Sequence, residues 1–255
     1  MKKLSSIVWV FLMAIGIILF VPRTTVQAAS PQLSANQVLM RKGQTYTLKL
    51  KNAKKVKWSS SKKAVATVKK GKITAKKPGK TTITAKSGKK RYKCTITVTT
   101  KKKKTLIIYF SATGHTKSVA EKVAKAAGAD IIRLVPKKAY TSADLDYNTD
   151  CRANREQENN AKPAIATVIK NIKQYKTVYL GYPIWHGKEP GVIRTFLSKT
   201  KLTKKTVIPF CTSGGSEITR SVSNIRKMAA GAKIKDGRNL TDASYKEIIE
   251  WITKK

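Results

Sequence analysis

Apolar residues in the second half of the chain follow the pattern of a protein in which strands and helices alternate. Three short runs, Thr105–Phe110, Thr177–Gly181 and Thr206–Phe210, contain no charged residue, which is typical of strands buried on both faces of a parallel sheet. We therefore predict an α/β domain with a doubly wound, five-stranded parallel sheet over residues 105–255. The other predicted elements are strands over Asp130–Val135 and Ala232–Ile234, and helices over Lys117–Ala127, Pro163–Tyr175, Gly191–Leu197, Ser216–Ala230 and Asp242–Ile252, with Thr116 and Thr241 as N-caps of the first and last helix.

Residues 32–99 have a different pattern, in which short β-rich runs alternate with glycine, asparagine, serine and lysine. Even spacing of such runs between turn residues predicts a small all-β sandwich. Residues 100–104, which include four consecutive lysines, then form a basic linker between the two domains. The predicted strands are Tyr46–Leu50, Lys55–Trp58, Ala64–Val68, Lys72–Ala75, Thr81–Ala85 and Tyr92–Val98.

The first 29 residues have the features of a secretion signal. Lys2 and Lys3 precede the apolar run Ile7–Val21, and Ala28 and Ala29 supply a small-residue cleavage site. The run is shorter than the roughly 20 residues that a membrane-spanning helix prefers. We expect a secreted or envelope-associated protein; an uncleaved membrane anchor is the alternative.

The segment that follows the first strand of the α/β domain is rich in small and hydroxylated residues. It reads Ser111-Ala112-Thr113-Gly114-His115-Thr116 and leads directly into the first helix. A helix N-terminus with nearby hydroxyl groups can bind a phosphate, although an ordinary strand–turn–helix without a ligand has the same pattern. The segment is neither a P-loop nor a dinucleotide-binding glycine motif.

Two further irregular segments follow the other two apolar strands. Tyr182–Gly187 contains Trp185, and Cys211–Ser216 contains two glycines. In an open parallel sheet the carboxyl ends of the strands lie at one edge, so all three segments should meet in one crevice. Trp185 can stack on a flat ring there or belong to the core. An anion site, an aromatic wall and free backbone amides together suit a flavin mononucleotide.

The motifs S-x-T-G-x-T, Y-P-I-W-x-G and T-S-G-G-S, in this order, resemble the flavodoxin family from Thr105 to the C-terminus. The resemblance implies a flavodoxin-like fold with FMN as cofactor. It implies that the first loop binds the phosphate, the second flanks the isoalloxazine ring and the third meets its pyrimidine side. The implied cofactor-binding residues are Ser111, Ala112, Thr113, Gly114, His115, Thr116, Pro183, Ile184, Trp185, His186, Gly187, Thr212, Ser213, Gly214 and Gly215.

The only two histidines of the chain, His115 and His186, both fall in these loops. An imidazole beside a flavin can donate a proton or stabilise the reduced ring, which makes His186 the candidate catalytic residue. Loop packing without a chemical role is the alternative. The long stretch Pro136–Asn160 resembles a segment of related short flavodoxins; it either covers the flavin and selects the substrate or is a solvated surface loop.

The N-terminal domain resembles the bacterial Ig-like domain, group 2, on the motifs around Val56–Ser61, Val65–Val68 and Thr82–Ala85. The resemblance implies a spacer or adhesive module, with Trp58 in its core.

Charge is distributed very unevenly along the chain. The net charge is +41, and the first acidic residue is Glu121. Counting from Arg41 to Lys104 gives 24 basic residues and no acidic one. Such repulsion calls for counter-charge from outside the domain. We predict binding to anionic envelope polymers or lipid headgroups. Nucleic acid is not expected as a partner, because the secretion signal would direct the protein away from it. The alternative explanation of the charge is a general bias towards lysine in the source proteome.

The chain has three cysteines, of which Cys94 and Cys151 could form a bridge, and no metal-ligand spacing is present. Two functions follow from the sequence. The first is an exported FMN-dependent oxidoreductase or electron carrier that passes electrons to quinone-like or other extracytoplasmic acceptors. The second is a non-catalytic surface-binding or adhesion protein that reuses a flavodoxin fold.

Overall fold

A computed structural model describes residues 29–100 and 103–254 of the chain. The predicted secretion signal, apart from Ala29, lies outside the described residues, as do Lys101 and Lys102 of the predicted linker. Within these two ranges, no helix is both long enough and apolar enough to cross a membrane.

The N-terminal domain is built from strands only, as the sequence predicted. One sheet pairs β5, β8, β9 and β2, a second pairs β3, β7 and β6, and β1 pairs with β4. Ile73, Ile83, Cys94 and Ile96 pack between the sheets as a buried core. Strand β2, which was not predicted from the sequence, has three buried central residues. The strands are β1 (Gln32–Leu33), β2 (Gln37–Arg41), β3 (Thr45–Thr47), β4 (Leu50–Lys51), β5 (Lys57–Ser60), β6 (Ala66–Lys69), β7 (Lys72–Ala75), β8 (Gly79–Ser87) and β9 (Lys90–Thr99).

The C-terminal domain contains a fully parallel sheet in the order β11-β10-β13-β14-β15, with the short β16 also paired to β14. The sheet therefore has six strands and not the five predicted. The additional strand arises because two short segments, Lys233–Ile234 and Arg238–Asn239, lie one after the other along β14. The strands are β10 (Thr105–Tyr109), β11 (Asp130–Arg133), β13 (Thr177–Pro183), β14 (Thr206–Thr212), β15 (Lys233–Ile234) and β16 (Arg238–Asn239).

Helices cover both faces of this sheet, because its central strands are apolar on both sides. Leu106 and Ile108 of β10 belong to the core beneath α3 and α4, whereas Ile107 and Tyr109 belong to the core beneath α1 and α5. This alternation is the period of a strand, with successive side chains on opposite faces. The helices are α1 (His115–Ala126), α2 (Arg152–Glu158), α3 (Gly191–Lys199), α4 (Thr219–Met228) and α5 (Tyr245–Thr253).

The prediction of a helix from Pro163 to Tyr175 is wrong. Residues Thr167–Ile169 form a strand, β12, which adds in parallel to β2 of the Ig-like domain. Three consecutive β-branched residues favour this choice, and the partner strand satisfies their backbone groups. Asn171 then donates a hydrogen bond to the Thr99 hydroxyl at 3.0 Å. The two domains thus share one five-stranded sheet, in the order β12-β2-β9-β8-β5.

Two predicted N-caps are also wrong. Gly114, with a φ of 109°, precedes α1, and the Thr116 side chain is buried in a hydrogen bond with Thr212. Helix α5 begins later than predicted, because Ser244 and Glu247 form a reciprocal capping box whereas Thr241 bonds to the loop after β14. Hydrogen bonds from Ser244, the backbone one foremost, lower the pKa of the Glu247 carboxyl.

We expect Ser244→Ala to lower the free energy of unfolding by about 1 kcal/mol, as for other lost N-caps. Since the pKa of Glu247 is depressed in the folded state, its contribution is present at neutral pH and disappears as the pH falls through that depressed pKa. Urea titrations of both proteins at neutral and acidic pH measure this, with Ser223→Ala, at an exposed position inside α4, as the control. A Ser244→Ala protein as stable as the wild type at pH 7 would contradict the assignment.

The three cysteines, Cys94, Cys151 and Cys211, are all buried and free, so the possible Cys94–Cys151 bridge is not formed. Burial raises the pKa of the Cys94 and Cys211 thiols to about 12. Because the thiolate is the reactive form, we expect native protein to react slowly with an aromatic disulfide reagent at pH 8, and all three thiols to react after denaturation. A fast native phase equivalent to two or more thiols would show that these sites are open.

Candidate functional site

The loops after β10, β13 and β14 meet at the carboxyl edge of the sheet, as predicted, and enclose a cavity of about 670 Å³. That volume lies within the usual range for small-molecule and cofactor sites. Four of the residues expected at the cofactor, Gly114, His186, Gly187 and Gly215, are not in its wall. The expected residues that do line it are Ser111, Ala112, Thr113, His115, Thr116, Pro183, Ile184, Trp185, Thr212, Ser213 and Gly214.

One end of the cavity is the N-terminus of α1. No side chain caps this helix, and no acidic residue occurs in its first turn. The first backbone N–H groups of a helix have no acceptor within it and carry partial positive charge, so this end is suited to an anion. The loop is held by its own contacts, since the Gly114 N–H donates to Ser111 Oγ at 3.0 Å and Arg133 Nη2 donates to the Ser111 carbonyl at 2.6 Å.

Another part of the cavity wall is formed by Trp185, which is both a core residue and a cavity residue. The residue is only 5% exposed, and its indole is nearly perpendicular to the rings of Phe110 and Tyr140, at centroid distances of 5.5 and 5.1 Å. Tyr140 donates its phenol proton to the Glu156 carboxylate, and burial together with this bond raises the pKa of Tyr140. The two interpretations offered for Trp185 are therefore compatible, because the residue is buried among aromatic rings and also lines the cavity.

His186 and Gly187 lie at the tip of a tight hairpin. Trp185 and Lys188 exchange both backbone hydrogen bonds, and the two central residues have φ angles of 48° and 68°. Two positive φ angles define a type I′ turn, which strongly favours glycine at one of the two positions. His186 is exposed and is not among the residues that line the cavity; its Nε2 lies 2.6 Å from Asn154 Oδ1, and its ring is nearly perpendicular to that of Tyr147 at a centroid distance of 5.0 Å.

The third loop supplies polar backbone to the cavity. The Ser213 N–H donates to the Thr241 hydroxyl at 2.8 Å, and that hydroxyl lies within hydrogen-bond distance of two acceptors, Asn239 Oδ1 at 2.6 Å and the Ser213 carbonyl at 3.1 Å. On the other side of Gly214, the Gly215 N–H donates to Ser213 Oγ. Hydrogen bonds on both sides of Gly214 therefore hold its backbone in place. Gly215 itself lines an adjoining cavity that also contains Ser213, Gly214 and Arg238.

The cavity also contains residues that the sequence analysis missed. Ser118, Val119 and Lys122 follow His115 at the three- and four-residue spacing of one helix face, a signal that the sequence did contain. Leu145 and Tyr147 come from the long stretch Pro136–Asn160, so this stretch contributes to the cavity wall. Tyr147 is nevertheless 44% exposed. Thr241 and Asp242, which had been expected to start the last helix, complete the wall.

A buried polar network behind the cavity fixes the Trp185 hairpin. Gln157 Nε2 donates to the Trp185 carbonyl at 2.7 Å, and Gln157 Oε1 accepts from Arg194 Nη2 at 2.8 Å. Arg194 also pairs with Glu189, at 3.5 Å, with 5% and 2% of the two side chains exposed. Asn224 donates to the other Glu189 oxygen. The network joins α2, the hairpin, α3 and α4, so the position of Trp185 depends on all four.

The cavity wall thus combines a helix N-terminus and hydroxyl groups with an aromatic residue. It can hold a ligand with an anionic group and a flat ring. Lys122, in the second turn of α1, and Asp242 add one charge of each sign to the wall. Among residues 29–100 and 103–254, no three histidine, cysteine or acidic side chains lie close enough together to hold a metal ion.

Comparisons with known proteins agree with this geometry. The family model described as Flavodoxin matches residues 104–255, and the model of the Bacterial Ig-like domain (group 2) matches residues 21–98. No curated protein matches the chain.

Solved structures of flavoproteins are similar to the C-terminal part. A flavoprotein from Bacteroides eggerthii is 41% identical, with a TM-score of 0.57, over 59% of this chain and 96% of its own. One from Bacteroides uniformis is 37% identical, with a TM-score of 0.57, over 59% and 98%. A flavoprotein from Lactobacillus acidophilus, solved in complex with FMN, is 28% identical, with a TM-score of 0.48, over 54% and 93%.

Proposed function

The chain belongs to the flavodoxin family, and from that premise we propose that it is an exported FMN-binding protein that transfers electrons to quinone-like or other extracytoplasmic acceptors. The observation that supports this best is the cavity itself. A single space of about 670 Å³ is lined both by residues at the uncapped N-terminus of α1 and by Trp185. A phosphate at one end and a flat ring at the other match the two chemically distinct parts of FMN.

The phosphate would lie at the start of α1. Ser111, Thr113 and Thr116 bring hydroxyl groups to this end, and Lys122 brings a charge. The Thr116 hydroxyl bonds to Thr212 at 2.7 Å, so it also ties the first loop to the third. Bound FMN supplies the redox chemistry, because its ring accepts and returns one or two electrons.

The protein's own contribution is to orient the ring and restrict water. Trp185 provides a fixed apolar face, and Leu145 and Tyr147 close part of the opening. The Ser213–Gly214 backbone offers polar groups to a ring edge. The His186 ring bonds to Asn154 outside the cavity wall, which supports a role in fastening Tyr147 and α2 over the site.

Export and the nature of the acceptor rest on the sequence. The secretion-signal pattern in residues 1–29 directs the chain out of the cell, and the acid-free Ig-like domain would retain it at anionic envelope polymers or lipid headgroups. The basic domain is the observation that favours the second candidate, a surface-binding protein in which the flavodoxin fold has no redox role.

Titration of the full chain with FMN, followed by gel filtration and absorption and fluorescence spectra, tests the proposal. We expect retained flavin with quenched emission, because Trp185 lies at the cavity wall. Riboflavin, which lacks the phosphate, should bind at least about tenfold more weakly, a loss of about 1.4 kcal/mol. Two results would contradict the redox role and favour the surface-binding candidate. One is folded protein that retains no flavin, and the other is bound flavin that neither dithionite nor an enzymatic donor reduces.

A further inference from the structure

The outward face of the five-stranded sheet carries rows of cations. In the register of β5, β8 and β9, Lys57 lies opposite Lys86, which lies opposite Arg91. All three side chains are exposed. Like charges directly opposite one another destabilise a sheet, and the sequence contains no acidic residue before Glu121 to offset them. The row is therefore a cost to the fold that a bound anion would relieve.

The same face continues as a polar strip along the strands. The inward positions of these strands, such as Ile83, Cys94 and Ile96, are buried in the core, so the alternate positions must all face outward. Lys86 and Lys80 of β8 are six residue steps apart, which corresponds to about 20 Å of strand length. In order after the first row, the outward positions are Ser59, Thr84 and Lys93, then Thr82, Thr95 and Gln37, then Lys80 and Thr97.

The strip ends in a cleft between the two domains. Its volume is about 240 Å³, and Gln37, Lys80, Thr95 and Thr97 of the sheet form one side. Helix α1 and strand β11 supply the other side, including Lys117, whose ammonium group lies 3.9 Å from Glu121, and Arg133. Arg133 Nε is buried there without a hydrogen-bond partner, although Nη2 of the same guanidinium donates to the phosphate loop. The cleft at this end of the polar strip is thus lined by three basic residues, Lys80, Lys117 and Arg133, against one acidic residue, Glu121, and its net charge suits an anionic group.

We propose that this strip and cleft form one binding track for a flexible polyanion with repeating phosphodiester groups. This inference rests on the proposed function, because it assumes an exported protein. It adds the chemical class of the polymer that the basic domain binds and the surface that binds it. A polymer fits better than a membrane, because a flat bilayer that covers the row of Lys57, Lys86 and Arg91 does not reach into a concave cleft about 20 Å further along. A single phosphate ion is also too small to contact cations that are spread over about 20 Å.

Fluorescence anisotropy of labelled poly(glycerol phosphate) with the full, FMN-loaded chain tests the track. The variant carries Lys57→Gln, Lys86→Gln and Arg91→Gln. The control carries Lys54→Gln, Lys69→Gln and Lys72→Gln, which remove equal charge from the same domain at positions outside the five-stranded sheet. Arg133 is left intact because it holds the phosphate loop. We expect the track variant to weaken binding at least about tenfold, with a shallower salt dependence, and the control to weaken it less than about threefold.

Three results would overturn the track. The first is equal weakening by both variants, which would indicate non-specific charge attraction. The second is binding of glycerol phosphate monomer or inorganic phosphate as tight as that of the polymer. The third is preferential binding to phosphatidylglycerol vesicles with the same dependence on Lys57, Lys86 and Arg91, which would assign the face to a membrane. The flavin spectrum of each sample reports the proposed function separately, because no substituted residue lines the flavin cavity.

Discussion

Replacing Arg194 with methionine is expected to lower the free energy of unfolding by about 3–5 kcal/mol, as for other broken buried ion pairs. Arg194 is 4% exposed. Its guanidinium donates hydrogen bonds to Glu189, to the Gln157 side chain and to the backbone carbonyls of Glu156 and Ala161. Its loss leaves the Glu189 carboxylate buried without a cation. Chemical denaturation of wild type and variant measures the effect.

FMN affinity should fall in the same variant, because Gln157 would lose the partner that orients it towards the Trp185 carbonyl. Arg226→Met serves as the control, since the Arg226–Asp236 pair is exposed and worth about 0–1 kcal/mol. A double variant, Glu189→Leu with Arg194→Met, should recover part of the stability because it removes both charges together. A single variant within 1 kcal/mol of the wild type would show that the network does not hold the hairpin.

Thr113→Asp is expected to weaken FMN binding about 100-fold, or about 2.7 kcal/mol. The side chain lies in the cavity wall beside the N-terminus of α1, where a carboxylate would occupy the region proposed for the phosphate. Repulsion between two anions there adds to competition for the same helix N–H groups. Quenching of flavin fluorescence gives the dissociation constants.

Two further proteins separate charge from shape in this experiment. Thr113→Val keeps the size without the charge and should weaken binding by no more than about tenfold, the loss of one hydrogen bond. Thr47→Asp places the same charge on an exposed strand of the Ig-like domain and should leave FMN affinity unchanged. The placement of the phosphate would be wrong if Thr113→Asp bound FMN as tightly as Thr113→Val, or if riboflavin affinity fell as far as FMN affinity.

Features that depend on local pattern were predictable. A fully apolar run such as Thr105–Phe110 identifies a buried central strand, because polar side chains cannot be placed on either face of such a strand. Since parallel strands end at one edge, the order of runs and loops then indicated where the cavity would be. The Ig-like domain was predictable for the same reason, from short runs at regular spacing.

Features that depend on a distant partner were not. Thr116 has the chemistry of an N-cap, but Thr212, 96 residues away, takes its hydroxyl instead. Thr167–Ile169 lies in a segment in which Pro163 is compatible with the start of a helix. These residues instead form a strand, because they pair with β2 of the other domain. Intrinsic preferences of this kind amount to about 1 kcal/mol, so tertiary hydrogen bonds and packing decide between them.

By itself, the sequence determined the two domain types, the parallel sheet and the three loops that line the cavity, because each follows from residue type and spacing within a short window. Only the tertiary structure decided that His186 contacts Asn154 and does not line the cavity, that Leu145 and Tyr147 belong to the cavity wall, and that Gln157 and Arg194 hold the backbone of Trp185. These contacts join residues about 30 positions apart or more, and their directions depend on how the packed elements meet, which a local pattern does not record.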